Sequence, residues 1–310
     1  MFVIIWSHGV GSMYIKNLRM RQIRKLEELQ LAPGVLNTEA LMLVLKKKNF
    51  PDRVDRVFKY LDAQEDDDVM AKKLYTVTTL DNANNPYKKI SELIIPDSII
   101  YVDNSIAGFA MPLIKNHKNL GAIINDKSIP LSTKLPYLYQ LGRIINRVQK
   151  VDNVKNKFQF GDLNEFNFII DEEDIVRAID LDSAYLGVGE PLNMAYYLLK
   201  NKYILSLPEK YRTTEDGIVI PTDDTDLYCY NMIVLNALAK ENIYKRDINT
   251  YYQYLEYLKL LGLPDELLEA FNNIYIPKDN TNPKDILEDI DPSLEEKLDF
   301  KVFEKDYMKM

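Results

Sequence analysis

Asp162 and Asn167 stand five residues apart in the run Phe160-Gly-Asp-Leu-Asn-Glu-Phe-Asn167, and a second acidic run, Ile179-Asp-Leu-Asp182, follows thirteen residues after Asn167. These residue types suit phosphoryl transfer. That chemistry needs a carboxylate beside the attacking hydroxyl, to orient it and accept its proton, and oxygen ligands that hold magnesium against a triphosphate. A loop with Asp and Asn at this spacing can aim one side chain at an acceptor and the other at a metal. A short hairpin can then return a second metal-binding Asp. The apolar runs Phe166–Ile170 and Ile175–Ile179, separated by Asp171–Asp174, read as that hairpin. Lys59 adds a cation. It lies in the alternating run Arg53–Leu61 and shares a strand face with Val57 and Leu61, so it points inward and needs an anionic partner.

The elements that must position these residues change along the chain. Leu41–Leu45 and Arg53–Leu61 read as strands, and Met70–Leu80 as a helix weakened by its threonines. Ile94–Val102 and Ile106–Ile114 read as strands around an Asp103-Asn104 turn. Ser132–Val148 has helical spacing and opens on a Ser-Thr pair suited to capping. Leu227–Ala239 reads as a buried helix, followed by helices over Ile248–Leu261 and Pro264–Phe271 and a charged tail with a surface helix. Strands first and helices later is an α+β pattern in two lobes.

The ordered set resembles the protein-kinase superfamily. That family has His-Arg-Asp-Leu, three residues, then Asn, followed after a hairpin by Asp-Phe-Gly. Asp162 matches the catalytic Asp, Asn167 the metal-binding Asn and Asp180 the Asp of the second motif. Val57-Phe-Lys59 is similar to the strand motif whose Lys contacts the phosphates. Gly108-Phe-Ala-Met-Pro-Leu-Ile114 is similar to the hinge, with Met111 as gatekeeper and Pro112 and Ile114 offering backbone groups to adenine. Val57 and Ile169 would flank the adenine ring, and Gly34 stands in the place of the Gly-rich loop, with Gly9-Val-Gly-Ser-Met13 as the other candidate. Asp226 matches the helix residue that braces the catalytic loop, and Leu207-Pro-Glu209 is a weak match to the end of the activation segment.

The resemblance implies a bilobal protein-kinase-like fold, with a small β-rich N-lobe over residues 1–114 and a larger helical C-lobe over 115–310. Residues 1–31 are readable as part of the first lobe or as an appended segment. It implies ATP and magnesium or manganese as cofactors and a protein or small-molecule acceptor with a hydroxyl. A Ser/Thr-protein kinase is the first expectation. Gly161-Asp-Leu163 also resembles the aminoglycoside-kinase-like branch, and the poor Gly-rich loop leaves a pseudokinase scaffold as a third reading. The pattern departs from the family at Gly161, Asn164 and Asp182, which replace Arg, Lys and Gly. Asp182 is read as an exposed loop residue, with a second metal ligand as the alternative. No helix glutamate is assigned to Lys59; Glu65 and Glu92 are read as surface or capping residues.

Bulk properties narrow the partners. With 39 Lys and Arg against 47 Asp and Glu, the net charge of −8 argues against a nucleic-acid partner. The single Cys229 allows no internal disulfide, which fits a cytoplasmic location, and with two histidines it cannot build the usual zinc site. No stretch reads as a membrane span, so no membrane partner is expected.

Overall fold

The computed structural model describes residues 13–29, 40–61, 66–152, 154, 157–192, 196–198, 211, 219–274 and 281–308. The protein is α+β, with a mixed six-stranded sheet and helices. It divides into two compact units: residues 1–118 with 171–183, and residues 119–170 with 184–310. Gly34, the Gly9–Met13 segment apart from Met13, Glu65 and the Leu207–Glu209 motif lie outside the described residues.

The first unit is built on strands β1 (Tyr14–Leu18), β2 (Glu27–Glu28), β3 (Ala40–Leu45), β4 (Arg56–Leu61), β5 (Ser98–Val102) and β6 (Ser105–Pro112), in the order β1-β5-β6-β4-β3-β2. Pairing is antiparallel except between β1 and β5, which run parallel. The part of the N-terminal segment that is described thus contributes a strand to this sheet. The turn between β5 and β6 has Asp103 and Asn104 both at positive φ (49° and 72°). That conformation matches strand twist and suits these two residue types.

Strand β4 lies inside the sheet, and its alternation sorts two cores. Phe58 and Tyr60 pack with Leu43, Leu45 and Ile100 on one face. Leu61 packs with Val77, Ile99 and Phe109 on the other, the face that also carries Lys59. Val77 belongs to α2 (Asp67–Leu80), which follows the short helix α1 (Met20–Ile23). The threonines expected to weaken α2 do not prevent it. Asp66 accepts the Asp68 N–H as an N-cap, and Asp67 and Asp68 complement the first turn. Gly108 of β6 sits opposite Tyr60 at φ +140°, where an added Cβ would lie 2.0 Å from the Lys59 carbonyl oxygen. Only glycine lets the two strands close up at the lysine.

The two-residue strand β7 (Lys118–Asn119) spans the change of unit. The second unit holds α3 (Leu120–Asn125), α4 (Leu131–Gln149), strand β8 (Phe168–Ile170), α5 (Asp223–Ala239), α6 (Ile248–Leu260), α7 (Asp265–Asn272), α8 (Glu295–Leu298) and α9 (Phe300–Asp306). Helix α5 is buried nearly all round, as its continuous apolar sequence predicts, and a Thr222–Thr225 capping box starts it four residues before Leu227. The Ser-Thr cap expected for α4 is not used. The helix begins at Leu131, whose N–H is taken by the Glu295 carboxylate at 3.0 Å. The tail also differs from expectation: α9 is not a purely surface helix, because Phe300 and Phe303 are buried and their rings meet Tyr254 at 5.2 and 5.3 Å. No helix among the described residues is long and apolar enough to cross a membrane.

Candidate active site

In the first unit, Lys59 is 2% exposed, and its ammonium donates to Asp180 at 2.5 Å and to both oxygens of Asp182 at 3.1 Å. The sequence places these partners more than a hundred residues after the lysine. They arrive on strand β9 (Val176–Ala178), which is tied to the segment before β5 where the Ile94 N–H donates to the Ala178 carbonyl at 2.9 Å. Asp180 adopts φ 63°, a left-handed conformation that turns the chain beyond β9.

Asp182 is therefore not the exposed loop residue expected. It is fully buried, because Lys59 and Lys73 give its carboxylate two cations, the second at 3.7 Å. Lys73 was not anticipated. It projects from α2 on the stripe with Thr76, Val77 and Leu80, and a lysine inside an apolar helical stripe was the available signal. Helix α2 contains no glutamate, so the anion beside Lys59 comes from Asp182 and the helix supplies a cation. Glu92, read as a surface or capping residue, is buried and accepts the Ser91 hydroxyl at 3.1 Å. Burial pushes the Asp180 carboxyl up to about 6, with Asp182 adding to the effect against the pull of Lys59. Asp182 is held below the usual carboxylate range despite its burial, by Lys59 and then Lys73. Lys59 is raised despite its burial, by the two aspartates.

Asp171 holds the turn that leads into β9. Its Oδ1 accepts the Glu173 and Ile175 N–H groups, each at 2.9 Å, and its Oδ2 accepts Arg177 Nε at 2.8 Å. Despite burial, the Ile175 N–H and Arg177 depress its pKa. A depressed carboxylate contributes stability above its unfolded pKa and loses it as pH falls through the folded value. Asp171→Ala should cost about 2 kcal/mol or more at neutral pH. The gap from wild type should close below about pH 4, which denaturant titrations at pH 7 and pH 3 would read. A pH-independent gap would refute the charge contribution.

The other residues expected in this unit lie around the C-terminal end of β6 and the start of β4. Met111 is buried, and Val57 is half-buried opposite it in the β4–β6 register. The Leu113 N–H donates to the Asp55 carbonyl at 2.9 Å. Pro112 therefore takes the adjoining non-hydrogen-bonded position, where a missing N–H costs nothing. The Ile114 carbonyl, by contrast, is bonded by His117 Nδ1 at 2.7 Å.

In the second unit, Asp162 and Asn167 are brought together. Asn167 Nδ2 donates to the Asp162 carbonyl at 2.9 Å and to its Oδ2 at 3.2 Å. Asn164 Nδ2 donates to Oδ1 at 3.0 Å while its own Oδ1 takes the Phe166 N–H. Asn164, noted only as a departure from the family, thus orients Asp162. Gly161 at φ 70° makes the bend before it. Phe160 packs between Phe158 and Phe168, with ring centroids at 5.0 and 5.7 Å. The Phe160 N–H donates to buried Asp226 at 3.1 Å, and burial pushes that carboxyl well up. Ile169 is buried in β8, and Cys229 is buried in α5 with its thiol pushed up by burial.

Within the second unit, Asn167 spends its amide nitrogen on Asp162, which leaves its carbonyl oxygen, a ligand type that magnesium accepts. Within the first, Asp180 carries a carboxylate, the other such type. The structure therefore joins Lys59 with Asp180 and Asp182 in one unit, and Asp162 with Asn164, Asn167 and Asp226 in the other. Compared with known proteins, the chain matches no family model and no curated protein.

Proposed function

We propose that the chain is an ATP- and magnesium-dependent phosphotransferase of bilobal, protein-kinase-like architecture, acting on a hydroxyl of a protein Ser or Thr. The observation that carries this reading is the buried Lys59, bonded to the two aspartates of the Asp180-Leu181-Asp182 run. A buried lysine between two carboxylates, delivered from far along the chain, is a costly arrangement for structure alone and suits a group that exchanges an internal anion for a phosphate.

In this reading Lys59 trades Asp180 for phosphate oxygens while Asp182 keeps its ammonium oriented. Asn167 and Asp180 hold the metal, which when bound neutralises charge on the triphosphate. Asp162, fixed by Asn164 and Asn167, orients the acceptor hydroxyl and takes its proton. Met111, Pro112 and Ile114 with Val57 and Ile169 form the adenine-binding surface. A small-molecule acceptor is the second reading. It is favoured by Gly161, whose left-handed backbone replaces the arginine that protein kinases use to read a phosphorylated loop.

The test is transfer of labelled γ-phosphate, with magnesium or manganese, to the protein itself, to generic protein substrates and to a panel of alcohol-bearing metabolites. Label on protein supports the first reading, and label on a metabolite alone the second. No label and no nucleotide-dependent thermal shift would reject both.

A further inference from the structure

A separate cavity of about 450 Å³ lies wholly within the second unit, lined in part by Lys127, Lys134, Glu165, Asn236, Lys240 and Tyr244. Its volume is that of a small-molecule site. Two of its polar groups are not accounted for by the fold. Lys134 of α4 is 1% exposed, yet its ammonium makes no hydrogen bond or ion pair among the described residues. Asn236, near the end of α5, is 6% exposed. Its Oδ1 accepts the Ile243 N–H at 2.8 Å, but its Nδ2 has no partner among the described residues.

Of the other charges on the lining, Lys127 is exposed, Glu241 pairs with Arg246 at 3.9 Å, and Glu165 and Lys240 are engaged within the fold. Glu165 accepts Asn125 Nδ2 at 3.0 Å and the Tyr197 hydroxyl at 2.6 Å. Lys240, held at the end of α5 in a left-handed conformation, pairs with Glu295 at 2.8 Å. What remains is an ammonium and an amide N–H, both donors, lining one cavity. Burial, and then Lys240, hold the Lys134 ammonium below its usual range, against an opposing pull from Glu295 and Asp126.

We propose that this cavity is a binding site for a small organic oxyanion, a phosphate ester or a carboxylate, received by Lys134 and Asn236. Glu165 and Phe166 of the Asp162–Asn167 loop line the cavity, but Asp162, Asn164, Asn167 and Lys59 do not, and the proposal does not depend on the phosphotransfer reading. The two lining groups that the fold leaves without a partner are both donors, and donors of which one is an ammonium favour an anion over a cation.

The experiment follows the thermal unfolding midpoint of the full chain in inorganic phosphate and in acetate, against chloride at equal ionic strength. A rise with phosphate alone assigns a phosphate ester, and a rise with acetate as well a carboxylate. K134M keeps the side-chain volume, and N236D keeps the acceptor for Ile243 while replacing the free donor by an oxygen. Each should weaken anion binding by about tenfold or more. K259M, at an exposed lysine of α6 outside the cavity, should leave it unchanged. Stabilisation by neither anion would overturn the proposal, as would an anion effect that survives both K134M and N236D or disappears in K259M.

Discussion

Asp162→Ala is expected to lower phosphate transfer by about 10²- to 10⁴-fold while nucleotide binding persists. The reason lies in how the loop is held. Asn167 also donates to the Asp162 backbone carbonyl at 2.9 Å, and Phe160 keeps its bond to Asp226 at 3.1 Å. Neither contact needs the Asp162 carboxylate, so the loop keeps its course and only the oxygen proposed to orient the acceptor is lost. A single-turnover assay beside a nucleotide-dependent thermal shift separates the two quantities. Transfer at the wild-type rate would remove Asp162 from the mechanism. Loss of nucleotide binding along with transfer would show that the substitution had collapsed the loop.

Arg56→Met should destabilise the first unit by about 3 kcal/mol. Arg56 is fully buried. Nε and Nη2 bind the two oxygens of Asp97 at 2.8 and 2.7 Å, and Nη1 and Nη2 bind Asp52 at 3.0 and 2.6 Å. Its guanidinium also lies 4.1 Å from the Phe50 ring centroid and 5.0 Å from that of Tyr14. Methionine would fill the volume but leave two partly exposed carboxylates without the cation they share. Arg56→Lys should recover little, because a point charge cannot serve two carboxylates with a planar fork. Urea unfolding would test both variants, and a loss under about 1 kcal/mol in Arg56→Met would show the network to be incidental.

Arg56 also marks a limit of sequence reading. In Arg53-Val-Asp-Arg56 the charges alternate with apolar residues as on a solvated strand face, yet the second arginine is enclosed. The same ambiguity hid Lys73 and Asp182. A charged residue is read as exposed unless its partner is known, and both partners came from distant segments. Features fixed by neighbours were legible: the Asp103-Asn104 turn, the inward face of Lys59 and Leu61, and the apolar helix α5. The Asp162–Asn167 spacing was legible too, since one short loop carries both side chains. Pairing of β1 with β5 left no local trace, because five residues do not name a partner strand. The start of α4 was misjudged for a related reason: its first N–H is served by Glu295, from the far end of the chain.

The composition of the first unit has a consequence for the order in which the chain can fold. Residues 171–183 belong to it although residues 119–170 are made in between. During synthesis the strands around Lys59 leave the ribosome well before Asp180 and Asp182 exist. Until those aspartates are made, the ammonium must stay hydrated and the sheet must stay loose around it, because sealing it in without them would bury an unmatched charge. Completion of the N-terminal unit therefore waits on a segment from beyond its own boundary, and residues 1–118 produced alone would keep Lys59 without either of the carboxylates that hold it.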